Sequence, residues 1–330
     1  MAVLVTGGAG YIGSHMVWSL LDQGEDVVVV DRLSSGFRCA VAPQAAFYEG
    51  DITDRVLLDT IFSNHSIDAI IHFAGSTIVP QSVRDPLSYY DNNTAKSQVL
   101  IAAAVDAKVP HFVFSSTAAV YGTPEDDRPV AESAQLRPQS PYGSSKLMTE
   151  IMLRDTAAAT PMAYTALRYF NVSGADPKGR AGQSTAGATH MIKLACETAL
   201  GKRPQFDVFG TDYPTPDGTC VRDYIHVTDL TTAHLKALQR MRSGGGSLIA
   251  NCGYGRGFSV LQVLDRVKAL SGRDFPVRLV GRRPGDAASV VADATIAHQE
   301  LAWIPEHGDL DFIISTALDW EDRLGKRTDP

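Results

Sequence analysis

Cysteine is scarce in this 330-residue chain: Cys39, Cys196, Cys220 and Cys252 stand far apart. No Cys-x-x-Cys occurs and no His/Cys group has zinc spacing, so neither a disulfide scaffold nor a structural zinc organises the fold, and no metal site is expected. A reducing, cytoplasmic compartment is the simplest expectation. Positive charge is also in short supply, with 30 Lys and Arg against 37 Asp and Glu and a net charge of -7. That argues against nucleic acid or an anionic membrane as the main partner, since both require a positive footprint. Long apolar runs are missing: Asp26 to Val30 and Ala69 to Ala74 fall far short of the roughly 20 residues a membrane helix needs. Met1 to Gly8 has no basic segment and no apolar core, so no signal peptide is expected. The nine histidines form neither His-x-x-x-His nor His-Glu-x-x-His and read as structural or solvated.

The length suggests about two domains at roughly 150 residues each. The first half alternates short apolar runs with amphipathic ones. Ala2–Thr6, Val27–Val30 (four consecutive valines), Ala46–Tyr48, Ala69–Phe73, Phe112–Phe114 and Tyr164–Tyr169 read as strands. Ile12–Gln23, Thr53–Asn64 with Thr53 as N-cap, Asp91–Ala107 and Ser144–Ala159 read as helices, with Gly24 as a stop after the first. Strands alternating with helices predict an α/β fold with a doubly wound parallel sheet of Rossmann type. Beyond about residue 170 the texture loosens, as in the Gly/Ala/Ser-rich stretch 171–189 and the Gly triplet within 243–247. The expected division is 1–170 for a dinucleotide-binding domain and 171–330 for a smaller α/β substrate domain, with some segments crossing back to the sheet.

Three motifs carry chemistry. Gly7, Gly10 and Gly13 lie between the first strand and first helix, where a tight turn and a helix N-terminus can meet a pyrophosphate, and Tyr11 and Ile12 lie within that turn. Asp31 closes the second strand, placed to accept hydrogen bonds from a ribose diol and to repel a 2′-phosphate, which favours NAD; Arg32 beside it argues mildly the other way. Tyr142 and Lys146 stand one helical turn apart after Pro141, a spacing that lets an ammonium lower a phenol's pKa toward that of a working base. Ser115, Ser116 and Thr117 end an apolar strand at the sheet edge where ligands bind. Further along, Asp51 and Ile52 follow the third strand, Phe73, Ala74 and Gly75 the fourth, and Asn171 a later one. Arg222 and Arg283 have the guanidinium fork that suits a diphosphate.

Taken together, LVTGGAGYIGSH, EGDI, IIHFAG, PLSYYDNN, FSSTAAVYG, SPYGSSKLMTE, LRYFNVSGA, FGTDYPTPDGTCVRDYIHV and the late RRPGD resemble the extended short-chain dehydrogenase/reductases, and within them the UDP-glucose 4-epimerases, over nearly the whole chain. The resemblance implies interconversion of UDP-galactose and UDP-glucose through a transient 4-keto sugar, with tightly held NAD. It implies Tyr142 as the base, Lys146 as its cationic support, and Thr117 as the partner of the sugar 4-oxygen. Cofactor contacts are implied for Gly7, Gly10, Tyr11, Ile12, Gly13, Asp31, Asp51, Ile52, Phe73, Ala74, Gly75, Asn92, Ser115, Tyr142, Lys146 and Phe170. Substrate contacts are implied for Thr117, Tyr142, Asn171, Thr189, Arg222, Arg283, Asp286 and Val290. A homodimer is implied as well. The chain departs from the family's pattern at Thr117 for Ser, Thr77 for Lys, Thr189-His190 for an Asn pair, and Val290 for a pocket-closing Tyr. That last change leaves room for an N-acetyl group and hence for UDP-GalNAc and UDP-GlcNAc. Ala118 and Ala119 stand where a 4,6-dehydratase carries an acid pair. A pentose epimerase or a decarboxylase of the same superfamily would differ in the pocket, and a non-catalytic dinucleotide-binding regulator would be expected to lack the Tyr-Lys pair.

Overall fold

The computed structural model describes residues 1–326 apart from Glu125 and Pro284. Seven strands form one sheet: β1 (Ala2–Thr6), β2 (Asp26–Asp31), β3 (Ala46–Glu49), β4 (Ile67–His72), β5 (His111–Ser115), β6 (Ala163–Tyr169) and, from the second half of the chain, Leu248–Cys252. Every pairing is parallel. The order is β3-β2-β1-β4-β5-β6 and then Leu248–Cys252, so the winding reverses between β1 and β4. A crevice at such a reversal, on the C-terminal strand edge, is where open α/β sheets bind ligands. Thr6, Asp31, His72, Ser115 and Tyr169 all end their strands on that edge.

The apolar runs are continuous because both faces of the sheet are buried. Val3, Val5, Val27, Val29, Ile71 and Val113 point into one core and Leu4, Val28, Val30, Ile70, Phe112 and Phe114 into the other. The first core is closed by Met16, Val17 and Leu20 of α1 (Tyr11–Asp22). The second is closed by Leu58 and Ile61 of α2 (Arg55–Asn64) and, further along, by Leu100, Ala104 and Leu153. The Gly24 amide closes α1 onto Leu21, as the sequence suggests.

Several helix boundaries differ from expectation. Asp54, not Thr53, caps α2: its Oδ1 accepts from the Leu57 amide at 3.0 Å, while the Thr53 hydroxyl donates to Asp51 Oδ1 at 2.9 Å. The helix expected at Asp91–Ala107 belongs to a longer path, running through α3 (Val79–Arg84), α4 (Pro86–Tyr89), one wide π-type turn at Tyr90–Ala95, and α5 (Lys96–Asp106). Pro86 follows the capping carboxylate of Asp85, so the helical path opens earlier than periodicity indicates. The expected helix at Ser144–Ala159 likewise opens earlier, as α6 (Pro141–Ala159), whose cap Ser140 accepts from the Gly143 amide at 3.2 Å.

The second half supplies β7 (Asn171–Ser173), α7 (Met191–Ala199), β8 (Phe206–Phe209), β9 (Val221–His226) and α8 (Val227–Arg242). The strand Leu248–Cys252 is β10, followed by β11 (Gly257–Ser259), α9 (Val260–Ser271), β12 (Val277–Val280), β13 (Ser289–Val290), α10 (Thr295–Glu300) and α11 (Leu310–Lys326). Strand β9 is central to a small sheet, with β7, β11 and β13 all paired to it. Strands β8 and β12 pair separately. Segment 227–252 returns to the large sheet: α8 packs against α1, and β10 extends β6. A third core lies between α7, α9 and α11.

Candidate active site

The turn after β1 is built for close backbone approach. Gly7 has φ +70°, and a Cβ there would stand 2.7 Å from the Ala74 amide. A Cβ on Gly13 would stand 2.1 Å from the Gly7 carbonyl oxygen. Any side chain at either position fills the cradle, so this loop fits a dinucleotide pyrophosphate at the N-terminus of α1. Ile12 and Tyr11 are partly buried there, and the Tyr11 hydroxyl donates to the Gly174 carbonyl at 2.6 Å, tying the turn to the second half of the chain. Gly10 is the N-cap residue.

Asp31 is held by its own surroundings: Oδ2 accepts from the Ala9 amide at 2.9 Å and Oδ1 from the Leu33 amide at 2.8 Å. Arg32 turns to Asp51, with Nη1 3.1 Å from Oδ2, and Lys96 reaches the same oxygen at 2.6 Å. Burial opposes ionisation of Asp51, but the bonds from Lys96 and Thr53 hold its carboxyl down at about 2. Ile52 beside it is buried.

At the end of β4, the Phe73 and Ala74 amides donate to Thr6, the latter to its hydroxyl oxygen. His72 below them is fully buried between Thr6 Oγ1 (2.6 Å) and Ser97 Oγ (2.9 Å), a structural histidine whose burial lowers its pKa to about 3. Asn92 donates to the Ser76 hydroxyl, and Asn93 spans Ser76 and Ser145 Oγ, joining this loop to α6. The Cβ position of Gly75 is 3.8 Å from Lys146 Nζ.

Tyr142, Lys146 and Thr117 meet above the end of β5. Tyr142 and Lys146 share the buried face of α6, and the Tyr142 hydroxyl lies beside the Thr117 side chain. Lys146 Nζ donates to the Ser115 carbonyl at 3.0 Å and lies 4.9 Å from the Phe114 ring centre. Ser115 Oγ shares a 2.6 Å hydrogen bond with the Tyr169 hydroxyl. The expected lowering of the phenol is not what the geometry gives. Burial pushes Tyr142 up to about 12, with Thr117 beside it opposing, while Lys146 aims at the Ser115 carbonyl rather than at the phenol. Burial brings the Lys146 ammonium down to about 8, with Glu150 opposing.

The small sheet gathers several substrate candidates. Asn171 pairs with Tyr224, and Val290 pairs with Arg222. Phe170 and Val290 pack with Ala118 in one apolar cluster that borders Thr117. Asp223, between Arg222 and Tyr224, points inward and accepts from the Tyr254, Gly255 and Ala292 amides, which fixes Arg222 on the opposite side. Arg283 lies with its guanidinium 4.0 Å from the Phe209 ring centre, and the Asp286 amide bonds back to its carbonyl. Pro284 between them is outside the described residues. Thr189 is exposed before α7 and, among the described residues, bonds to none of the other candidates.

Sequence reasoning missed Glu150, Arg168, Tyr121 and Asn251, which form a buried polar line beneath Thr117. A glutamate one turn beyond Lys146 on a buried helix face is the signal that could have found them.

Residues 3–253 match the NAD dependent epimerase/dehydratase family. A UDP-glucose 4-epimerase of Azospirillum brasilense is 54% identical over 98% of this chain and 92% of its own length. The structure of a UDP-glucose 4-epimerase from Brucella ovis in complex with NAD superposes with TM-score 0.94 at 43% identity, over 96% of this chain and 97% of that one. One from Bifidobacterium longum in complex with NAD+ and UDP gives 0.93 at 38% identity, over 98% of each.

Proposed function

The chain belongs to the NAD dependent epimerase/dehydratase family, and on that premise we propose that it inverts C4 of UDP-hexoses, interconverting UDP-galactose and UDP-glucose through a 4-keto sugar. The observation that carries this reading is the convergence of Tyr142, Lys146 and Thr117 at the edge of a sheet whose glycine cradle fits a dinucleotide. NAD held in this cradle would supply reversible two-electron hydride chemistry at C4.

The chain's residues do the rest. Gly7, Gly10 and Gly13 admit the pyrophosphate, and Asp31 with its two oxygens already oriented takes the ribose diol. Asp51, Ile52, Phe73, Ala74, Gly75, Asn92, Ser115 and Phe170 line the cofactor's path. Tyr142 accepts the proton of the 4-hydroxyl and returns it after the sugar has turned; Thr117 Oγ1 holds the 4-oxygen. Lys146 is the cation of this cleft; on this reading it turns from the Ser115 carbonyl toward the phenol and there stabilises its negative charge. Asn171, Arg222, Arg283 and Asp286 anchor the uridine diphosphate, so the remote end stays fixed while the sugar rotates. Arg283 leaves the Phe209 ring to reach a phosphate. Val290, small beside Phe170 and Ala118, leaves space for an N-acetyl group, so UDP-GlcNAc and UDP-GalNAc are substrates too; no turnover of UDP-GlcNAc by enzyme that epimerises UDP-glucose removes this extension.

The NAD-binding unit is 1–170 and the UDP-sugar unit mainly 171–330, the segment 227–252 excepted. Val83 and Leu87 are exposed on α3 and α4, and Met148 and Ile151 on the adjoining α6. A second copy of the chain covers this strip. Leu87→Asp with Ile151→Asp is expected to halve the mass seen in sedimentation. Four free cysteines suit a cytoplasmic enzyme; among the described residues no helix is long and apolar enough to cross a membrane. The test of function is epimerisation of UDP-galactose by wild type and its loss in Tyr142→Phe.

A further inference from the structure

Glu150 lies one turn beyond Lys146 on α6, as Lys146 lies one turn beyond Tyr142, and its side chain is 3% exposed. Arg168 of β6 grips it with two prongs, Nε to Oε1 at 3.0 Å and Nη2 to Oε2 at 2.6 Å. The Ser116 hydroxyl donates to the same Oε1. Arg168 Nη1 donates to the Tyr121 hydroxyl at 3.0 Å, which donates to Asn251 Oδ1 at 2.7 Å. The Asn251 amide then holds the Val130 and Asp293 carbonyls.

A buried ion pair is a poor stabiliser, because desolvation offsets its attraction and apolar residues of like volume serve as well or better. Packing therefore gives no reason for charge at this spot. The contacts give one. Three consecutive residues, from the end of β5 onward, face α6: the Ser115 carbonyl is bonded to Lys146, the Ser116 hydroxyl is bonded to Glu150, and Thr117 lies beside Tyr142. The Ser116 amide is further bonded to the Leu167 carbonyl at 2.9 Å, next to Arg168. We propose that Glu150, clamped by Arg168, is a positioning residue for catalysis, fixing through Ser116 the peptide that carries Thr117 in register with Tyr142 and Lys146. Neither Glu150 nor Arg168 reaches substrate; both act through the loop. The proposal rests on the catalytic reading of Tyr142 and Thr117 above.

The test compares holoenzyme carrying Ser116→Ala, Ser116→Thr, or Glu150→Leu paired with Arg168→Met, beside Tyr142→Phe. Ser116→Ala and the paired replacement are expected to keep bound NAD and a KM for UDP-galactose within about twofold, while kcat falls roughly ten- to hundredfold. Ser116→Thr, which restores the hydroxyl, is expected to recover most of the lost kcat. A kcat for Ser116→Ala within about twofold of wild type, with Tyr142→Phe inactive, overturns the positioning role. Should the paired replacement not fold, Ser116→Ala decides alone. Activity retained by Tyr142→Phe instead overturns the catalytic reading itself.

Discussion

On the proposed mechanism, the Tyr142 hydroxyl is the single group on which turnover depends most. Removing it in Tyr142→Phe leaves the ring and the packing of α6 and is expected to lower kcat by roughly a hundred- to ten-thousandfold, read in steady-state assays with bound NAD unchanged. Gly13→Ala acts on the other half of the site: its Cβ has the Gly7 carbonyl oxygen only 2.1 Å away, so the turn must open. The expected outcome is a protein that loses its nicotinamide absorbance on gel filtration while Tyr142→Phe retains it. Residues such as Tyr142, Lys146 and the three glycines were legible because their spacing is local. Glu150, Arg168 and Tyr121 were not, since their partnerships cross 18 to 130 positions of sequence and appear only when β6 and β10 lie side by side. Arg32 shows the converse. Its place beside Asp31 suggests a grip on a 2′-phosphate, but the fold commits it to Asp51.

Among the elements, buried strands were the most readable, because a strand covered on both faces must be apolar at every position; Val27 to Val30 feeds both cores in alternation. Helix starts were less so. Thr53 and Asp54 are both good caps, and the choice was decided by Asp51, whose carboxylate claims the Thr53 hydroxyl. Asp54→Ala is accordingly expected to cost about 1 kcal/mol of stability, measured by denaturant unfolding, through loss of the bond to the Leu57 amide. The wide turn at Tyr90–Ala95 left no periodic trace, yet it carries Asn92 and Asn93 to the Ser76 loop beside the cleft. That some of the second half crosses back to the sheet was expected, but not that α8 and β10 are the segments that do so, since a strand gives no sign of which sheet it joins.

For the molecule as a whole, neutral buried histidines set the response to acid. Burial lowers His72 and His226 to about 3 and His15 and His234 to about 4, all below the usual 6.5. The unfolded chain takes up protons that the folded chain refuses, so the stability these groups give is complete above pH ~6.5 and is lost as pH falls toward 4 and 3. Each such proton steepens the loss by about 1.4 kcal/mol per pH unit. Urea midpoints are therefore expected to fall steeply between pH 6.5 and 4, and His72→Gln, which keeps two polar contacts without titrating, to flatten that slope. The net charge of -7 has a similar global sense. It disfavours polyanions, so on the proposed reading diphosphates are met locally, by the α1 N-terminus, Arg222 and Arg283. The central claim is that one cleft oxidises and re-reduces the same sugar without an outside oxidant. Its most direct measurement is conversion of UDP-galactose to UDP-glucose by purified holoenzyme with no NAD added. Sustained product formation over many turnovers, with no net growth of reduced nicotinamide, is the expected result; product limited to one equivalent per chain, or strict dependence on added NAD as a consumed oxidant, would contradict it.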